Sequence, residues 1–288
     1  MLTQLARHLL DGEGDEAEVR HAAKATRYPL LDCATLVEPA QTTTGPPDFV
    51  GVGTQRSGTT WWFETLLGHP EICGPKTGAK EQHYFDRFCR RALTDADIRR
   101  YHRKFPRGAG QIAGEWTPRY MYDFWTPPLI ARAAPDAKLM IMFRDTIERF
   151  RSGVPHRISL GKDPRMEAVV ADAMERGRYA TQLRRVLAHH ERERILILQY
   201  ERCRADPAAE YRRTLAFLGV DTDHEHAGFD TPRGTTQAAA KQPLWPDLVD
   251  ALLATYEPEV AQLAELAPEI DVALWPNFAH LASDAVAG

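Results

Sequence analysis

The 288-residue chain has few cysteines, no long apolar run and little charge imbalance, and each shortage excludes a class of protein. Its four cysteines stand apart, without the paired spacing of a zinc site or a disulfide framework, so we expect reduced thiols and no metal site. No stretch approaches the roughly 18 apolar residues that a membrane-spanning helix needs. The 36 basic and 40 acidic residues leave a net charge of −4, which disfavours a general nucleic-acid binder.

The amino-terminal segment has too short an apolar run and too many charges for a secretory signal, so we expect a cytoplasmic protein. Residues 1–47 are predicted to be a helical extension that ends in a linker rich in threonine and proline. Residues 48–288 are predicted to form one domain, since a stretch of this length buries a sizeable core.

Three short apolar runs without alternation predict strands that are buried on both faces. These runs cover residues 49–53, 138–143 and 194–200. Helical patterns are predicted at residues 61–68, 95–104, 178–190, 208–218 and 246–266. Because strands and helices alternate along the chain, we predict an α/β fold whose central sheet is mostly parallel and is flanked by helices.

The first strand leads through residues 53–60, Gly-Thr-Gln-Arg-Ser-Gly-Thr-Thr, into a helix. The two glycines let the backbone turn its N–H groups inward, and the N-terminus of the helix adds partial positive charge. With Arg56 and the hydroxyl groups of Ser57, Thr59 and Thr60 in the loop, we predict a binding site for a phosphate-like anion. Thr59 stands where a triphosphate-binding P-loop carries lysine. A triphosphatase needs that lysine and an acidic partner for magnesium, so the loop favours a diphosphate-like ligand without a metal.

A second candidate anion site follows the second predicted strand. Arg144 lies at the end of that strand, where α/β sheets bind ligands, and Ser152 lies about two helical turns further along the chain. A guanidinium beside a hydroxyl suits a terminal phosphate. Taken alone, the pair is also compatible with a surface arginine and an ordinary helical serine.

Four segments carry a resemblance to one family. Residues 49–62 with Leu-Gly-His-Pro at 67–70 resemble the 5′-phosphosulfate loop of sulfotransferases that use 3′-phosphoadenosine 5′-phosphosulfate (PAPS). Residues 142–152 resemble their 3′-phosphate site. Lys-Glu-Gln-His-Tyr-Phe-Asp at 80–86 and Gly-Glu-Trp-Thr-Pro-Arg-Tyr at 114–120 are similar to segments of the heparan-sulfate-type carbohydrate sulfotransferases.

The resemblance implies a P-loop-like three-layer fold and a sulfuryl transfer from PAPS, without a metal, to a hydroxyl or amine of an acceptor. A carbohydrate, a glycolipid or a small metabolite is the implied acceptor class. The implied donor-binding residues are Arg56, Ser57, Gly58, Thr59, Thr60, Trp61, Arg144 and Ser152, together with Arg233, Gly234 and Lys241 from a later loop. The implied catalytic residues are Glu81, Arg56, Lys80, His83 and Glu115.

The resemblance makes Glu81 the base that takes the acceptor proton, and Arg56 a stabiliser of charge on the leaving phosphate or on the transferring group. Lys80 and His83 lie beside Glu81 in the sequence and are expected to tune it or to contact the acceptor. Glu115 is an alternative base, or a partner that holds Arg56 or Lys80.

One position departs from the family. Trp116 stands where many members carry a lysine that is expected near the sulfuryl group, and Lys80 and Arg119 are the candidate substitutes for that charge. Two other functions fit the same α/β core. A P-loop nucleotide kinase would bind ATP with magnesium, and a non-catalytic adenylate-binding protein would bind PAPS without turnover.

Overall fold

The computed structural model describes residues 42–159, 166–226, 228–229 and 244–284. Most of the predicted extension at residues 1–47 lies outside these ranges, as do the predicted donor residues Arg233, Gly234 and Lys241. Within the described ranges, no helix is both long enough and apolar enough to cross a membrane.

The described strands form two sheets. They are β1 (Thr43–Thr44), β2 (Phe49–Gly53), β3 (Ile72–Cys73), β4 (Pro106–Arg107), β5 (Ile112–Trp116), β6 (Lys138–Phe143) and β7 (Ile195–Gln199). The central sheet has the order β3-β5-β2-β6-β7, and each of its neighbouring pairs is parallel. Strands β1 and β4 pair antiparallel beside it. The three predicted strands are therefore confirmed, although the third is shorter than predicted by one residue at each end.

Strand β6 shows why these runs lack alternation. Leu139, Ile141 and Phe143 pack into one apolar cluster, whereas Met140 and Met142 pack into a second cluster on the opposite face of the sheet. Successive side chains of a strand point to opposite faces, so a strand covered on both faces must be apolar at every position. The two clusters lie between the sheet and its helices, and the predicted three-layer α/β fold is confirmed.

The helices flank this sheet. They are α1 (Thr59–Leu66), α2 (Asp95–His102), α3 (Thr126–Ala133), α4 (Thr146–Ser159), α5 (Met166–Glu175), α6 (Tyr179–Leu187), α7 (Tyr200–Ala205), α8 (Pro207–Leu218), α9 (Pro246–Leu266) and α10 (His280–Asp284), with short 3-10 turns at Asp86–Cys89, Arg192–Arg194 and Val272–Leu274. Helix α2 starts at a capping box, in which Thr94 and Asp97 each accept a hydrogen bond from the other's backbone N–H. Asp145 caps α4 by accepting hydrogen bonds from two N–H groups of its first turn.

Strand β5 is absent from the sequence-based prediction. It contains Gly114 and Glu115, which are both uncommon inside strands. Gly114 is needed because a Cβ there would overlap the backbone oxygen and ring of Phe49 on β2. This close approach places the end of β5 beside the loop that follows β2.

Candidate active site

The donor loop, residues 54–60, runs from the end of β2 into the first turn of α1 and is held by buried hydroxyl groups and one glycine. The Thr54 hydroxyl donates to the Met142 carbonyl oxygen at 2.8 Å and lies 2.6 Å from the Ser57 hydroxyl oxygen. Gly58 has φ = 89°, and a Cβ there would lie 2.6 Å from the Tyr200 ring, so both the conformation and the space require glycine. The Ser57 side chain is fully buried and supports the loop from within.

The predicted donor residues on two neighbouring strand ends come together. The Arg56 Nε donates to the Ser152 Oγ at 3.1 Å, and an Arg144 Nη donates to the Arg56 carbonyl oxygen at 3.1 Å. Burial lowers the pKa of Arg56, and the charge of Arg144 lowers it further. Two guanidinium groups that repel each other at the end of a sheet favour an anion between them.

Tyr200 was not among the predicted site residues. Its ring lies against Gly58 and below the Arg144 guanidinium, whose carbon is 4.7 Å from the ring centroid. The ring therefore supports both halves of the predicted donor site through packing and a cation–π contact. Tyr200 directly follows β7, and its place at a strand end was the sequence signal for this role.

Trp61, a predicted donor-binding residue, packs largely in the core. The side chain is 6% exposed, and its ring meets that of Trp62 edge to face at 5.2 Å inside the second apolar cluster. Its buried indole N–H has no hydrogen-bond partner among the described residues, and its contact with the donor stays a prediction. The loop presents the hydroxyl groups of Thr59 and Thr60, which lie at the start of α1.

The acceptor segment, residues 80–86, begins with a lysine that contacts the donor loop. The Lys80 Nζ lies 3.1 Å from the hydroxyl oxygens of Thr59 and Thr60, and 3.1 Å from a carboxylate oxygen of Glu81. Burial lowers the pKa of Lys80, although the adjacent Glu81 charge opposes this shift. One cation therefore joins the predicted phosphosulfate loop to the predicted base.

Glu81 begins a chain of charged side chains. His83 Nε2 lies 3.1 Å from a Glu81 carboxylate oxygen, and His83 Nδ1 lies 2.9 Å from a carboxylate oxygen of Asp86. Hydrogen bonds to Asp86 and Glu81 raise the pKa of His83 to about 9. Partial burial acts to raise the pKa of Glu81, but the bonds from His83 and Lys80 outweigh it and hold this pKa below its usual value. At neutral pH, an imidazolium thus lies between two carboxylates.

Asp86 is the last residue of the motif at residues 80–86, and no function was predicted for it. The spacing of three residues between His83 and Asp86 was the available signal, because one helical turn brings such residues together. In the structure, His83 has φ = 47° and lies before the 3-10 turn that starts at Asp86, so the contact forms at the entrance to that turn.

Glu115, the alternative base predicted from the sequence, is placed where it cannot act as one. Its side chain is fully buried, and its two oxygens accept hydrogen bonds from Tyr101, Thr117 and Tyr120 and from the Gln82 backbone N–H. Burial raises the pKa of Glu115, and these hydrogen bonds oppose the rise. The carboxylate supports the acceptor segment from below, and an acceptor would not reach it.

Trp116 is a structural residue. Its side chain is fully buried, and its indole N–H donates to the Gly53 carbonyl oxygen at 3.0 Å, at the entrance to the donor loop. A Cβ on Gly51 would overlap the indole ring, so glycine on β2 makes room for tryptophan on β5. The position that carries lysine in many family members is filled here by a side chain that packs the sheet.

The two candidate substitutes for that lysine lie on different sides of the site. Lys80 contacts the donor loop, as described above. The Arg119 Nε instead lies 2.8 Å from a carboxylate oxygen of Asp123 and 3.6 Å from one of Asp86. Lys80 is therefore the cation nearer the predicted sulfuryl position, whereas Arg119 faces the far end of the acceptor segment.

Comparisons with known proteins agree with this geometry. The description "Sulfotransferase domain" belongs to the family whose profile matches residues 46–242. Mouse heparan sulfate glucosamine 3-O-sulfotransferase 3A1 is 29% identical over 240 residues, which cover 77% of this chain and 57% of the relative. Mouse heparan sulfate glucosamine 3-O-sulfotransferase 6 is 30% identical over 241 residues, which cover 76% of this chain and 65% of the relative. The chain thus spans somewhat more than half the length of these two relatives.

Among solved structures, a sulfotransferase from Alicyclobacillus acidocaldarius superposes with a TM-score of 0.62 at 25% identity, covering 80% of this chain and 98% of that one. The fold, the donor loop and the family profile agree. The chain belongs to the sulfotransferase domain family.

Proposed function

We propose that this protein is a sulfotransferase that moves the sulfuryl group of PAPS to a hydroxyl or amine of a carbohydrate, glycolipid or small metabolite, with Glu81 as the base. The donor loop, including Thr60, would face the 5′-phosphosulfate. Arg144 and Ser152 would hold the 3′-phosphate that distinguishes PAPS from AMP. The donor residues predicted at Arg233, Gly234 and Lys241 remain predictions.

The observation that carries this proposal is the position of Lys80. Its ammonium group lies 3.1 Å from the two threonine hydroxyls of the donor loop and 3.1 Å from Glu81. An anion at the loop and a nucleophile at the carboxylate would therefore lie on either side of one cation. This arrangement suits sulfuryl transfer, because the nucleophile must approach sulfur on the side opposite the leaving phosphate.

The proposed reaction is a single displacement. The acceptor oxygen or nitrogen forms a bond to sulfur while the bond between sulfur and the phosphate oxygen breaks, and that oxygen keeps the electron pair. Glu81 accepts the acceptor proton, which can leave late as the new bond forms. Arg56 and Lys80 stabilise the negative charge on the departing adenosine 3′,5′-bisphosphate.

His83 is proposed to orient Glu81. As an imidazolium it donates one hydrogen bond to Asp86 and one to Glu81, which keeps the base ionised and turned towards the donor loop. The same contacts hold the pKa of Glu81 low, so the carboxylate is a weak base. Proton transfer late in the displacement suits a weak base, since the acceptor becomes acidic as it is sulfated.

The acceptor class rests on the relatives. Their names specify glucosamine in heparan sulfate, so we propose a carbohydrate hydroxyl as the first acceptor to test. A cytoplasmic location stays a prediction from the sequence.

The decisive experiment is calorimetric titration with adenosine 3′,5′-bisphosphate, AMP and ATP, each with and without magnesium. We expect binding of the bisphosphate that does not depend on magnesium and is much tighter than that of AMP. Labelled PAPS then identifies acceptors. Preference for ATP with magnesium would overturn the proposal in favour of a kinase, and tight donor binding without any turnover would favour the non-catalytic protein.

A further inference from the structure

A second charged region lies beside the acceptor segment. A cavity of ≈ 500 Å³, which we call the α2 cavity, opens between the acceptor segment and the C-terminal end of α2. Its lining includes His83 and five cationic side chains, which belong to Lys76, Arg87, Arg100, Arg103 and Lys104. Binding sites for small molecules measure about 300–1,000 Å³, so the cavity has room for a substituted sugar ring.

The cavity is held in shape by contacts between its walls. The Lys76 N–H donates to the Lys104 carbonyl oxygen at 2.8 Å, and the Lys104 Nζ donates to the Gln82 side-chain oxygen at 2.9 Å. The Tyr84 hydroxyl donates to a carbonyl of α2 at 2.6 Å, and the Arg87 guanidinium lies 4.4 Å from the centroid of the Tyr84 ring. Several of the charges are thus positioned before any ligand arrives, which favours binding.

Carboxylates do not balance this charge. In the described part of the chain, no aspartate or glutamate lines the cavity. At the edge of the cavity, His83 pairs with Glu81 and Asp86. Of the five lysines and arginines, Arg100 has an acidic partner, Asp97, at 3.7 Å, but Asp97 makes two shorter bonds, of 2.7 and 2.9 Å, to Arg91. The other four cationic side chains form no ion pair with any described residue. The five lysines and arginines of the cavity therefore share one weak ion pair, although the charge of the buried Glu115 also acts on Lys104.

The effect of this imbalance appears at Lys104. Burial lowers its pKa, and the charges of Arg87 and Lys76 lower it further, whereas Glu115 acts in the opposite direction. Cations that destabilise one another in a fixed cavity are stabilised by a bound anion. Several ammonium and guanidinium groups present hydrogen-bond donors of the kind that recognise sulfate, phosphate and carboxylate.

We propose that the α2 cavity binds an anionic group of the acceptor, a sulfate, phosphate or carboxylate, while a neighbouring hydroxyl or amine lies at Glu81. This inference rests on the proposed function. His83 connects the two sites, because it lines the cavity and lies 3.1 Å from the Glu81 carboxylate. An acceptor that spans both would be selected for its negative charge, and a neutral acceptor of the same shape would bind poorly.

The test uses the full chain saturated with adenosine 3′,5′-bisphosphate, so that the donor site is occupied. Glucose 6-sulfate, glucose 6-phosphate, glucuronate, glucose and inorganic sulfate are titrated separately by calorimetry. The test variant is Lys76→Ser with Arg103→Ser. The matched control is Arg90→Ser with Arg99→Ser, which removes two exposed charges from nearby positions that do not line the cavity.

We expect at least one sugar anion to bind the wild type and glucose not to bind. The test variant should weaken that binding about tenfold, since two exposed charge contacts are lost, whereas the control should change it about twofold or less. Raising the salt from about 0.05 to about 0.5 M should also weaken it. In both variants, the affinity for the bisphosphate should match that of the wild type.

Four results would overturn the inference. They are equal binding of glucose, equal loss in test and control variants, no sugar anion bound, or inorganic sulfate bound as tightly as the sugar anions. The last result would indicate a site for free anions instead of an acceptor. If the bisphosphate itself does not bind, the proposed function fails as well, so the two failures are distinguishable.

Discussion

The donor loop and the acceptor segment meet at Lys80, yet they are built differently. The donor loop lies between a strand and a helix, and its shape comes from buried hydroxyls and from a glycine that faces Tyr200. The acceptor segment has no regular structure before the 3-10 turn that starts at Asp86, and Glu115 supports it from below. The loop is thus held mainly by neutral contacts, whereas the segment depends on charged side chains.

This difference separates binding from chemistry. Changes in the acceptor segment after Lys80 should alter turnover and pH dependence and leave donor affinity intact. Changes at Arg144 and its neighbours should alter donor affinity first. Four substitutions test this separation, taken from the largest expected effect to the smallest.

Glu81→Gln should lower turnover by about 100-fold or more, the range expected for loss of a general base. The affinity for adenosine 3′,5′-bisphosphate should stay within about twofold of the wild type, because the donor loop is unchanged. Initial rates with labelled PAPS and calorimetry measure the two quantities. Near-normal turnover would remove Glu81 from the proposed role.

Arg144→Ala should weaken binding of adenosine 3′,5′-bisphosphate by about 10- to 100-fold, since a hydrogen bond to a charged group contributes about 1.5–3 kcal/mol. AMP binding should change much less. The matched control is Arg151→Ala, since Arg151 lies on α4 and pairs with Glu148 at 2.7 Å. Equal weakening of both nucleotides would show that Arg144 does not recognise the 3′-phosphate.

Glu115→Gln should reduce the free energy of unfolding by about 1–3 kcal/mol, because buried donors lose their acceptor. Turnover should fall about tenfold while donor affinity is kept, since a small displacement of a catalytic group is costly. Urea unfolding and initial rates test this. Tyr101→Phe, which removes one of the four hydrogen bonds, should give a smaller loss of both. If Glu115→Gln weakens donor binding as much as it lowers turnover, the two regions are not separable.

His83→Gln should remove a pH dependence of stability. The folded-state pKa of His83 is raised to about 9 from an ordinary value of 6.5, so its contribution is complete below about pH 6.5 and is lost as the pH rises through about 9. The effect should be about 1 kcal/mol or less, because the side chain is 46% exposed. Urea unfolding of both proteins at several pH values measures it. Parallel curves for variant and wild type would contradict the assignment.

The sequence predicts the donor side well. The strands at residues 49–53 and 138–143 are continuous apolar runs and were predicted from them. The carboxyl ends of parallel strands lie at the same edge of the sheet, so Arg56, Arg144 and Ser152 come together as expected. The burial of Trp61 in the second apolar cluster was not predicted. Its position in the motif says nothing about which way its ring turns once α1 packs on the sheet.

The acceptor side was predicted less well. Residues 80–86 were identified from the motif. The burial of Glu115, however, depends on β5, which could not be predicted as a strand because glycine and glutamate are uncommon inside strands. Tyr101 reaches Glu115 from α2, which no local pattern reveals. The α2 cavity likewise gathers cations from separate segments, and their proximity is a result of tertiary packing.

The contact between Trp116 and Gly51 has a consequence for how such sites change over evolutionary time. Replacing Trp116 by lysine would empty a core position and remove the bond to the Gly53 carbonyl, and a larger residue at Gly51 is blocked while the indole is present. Each substitution is therefore costly while the other residue is unchanged, which couples the two positions energetically. The strand position is thus committed to packing, and Lys80 is the proposed source of the charge near the sulfuryl group.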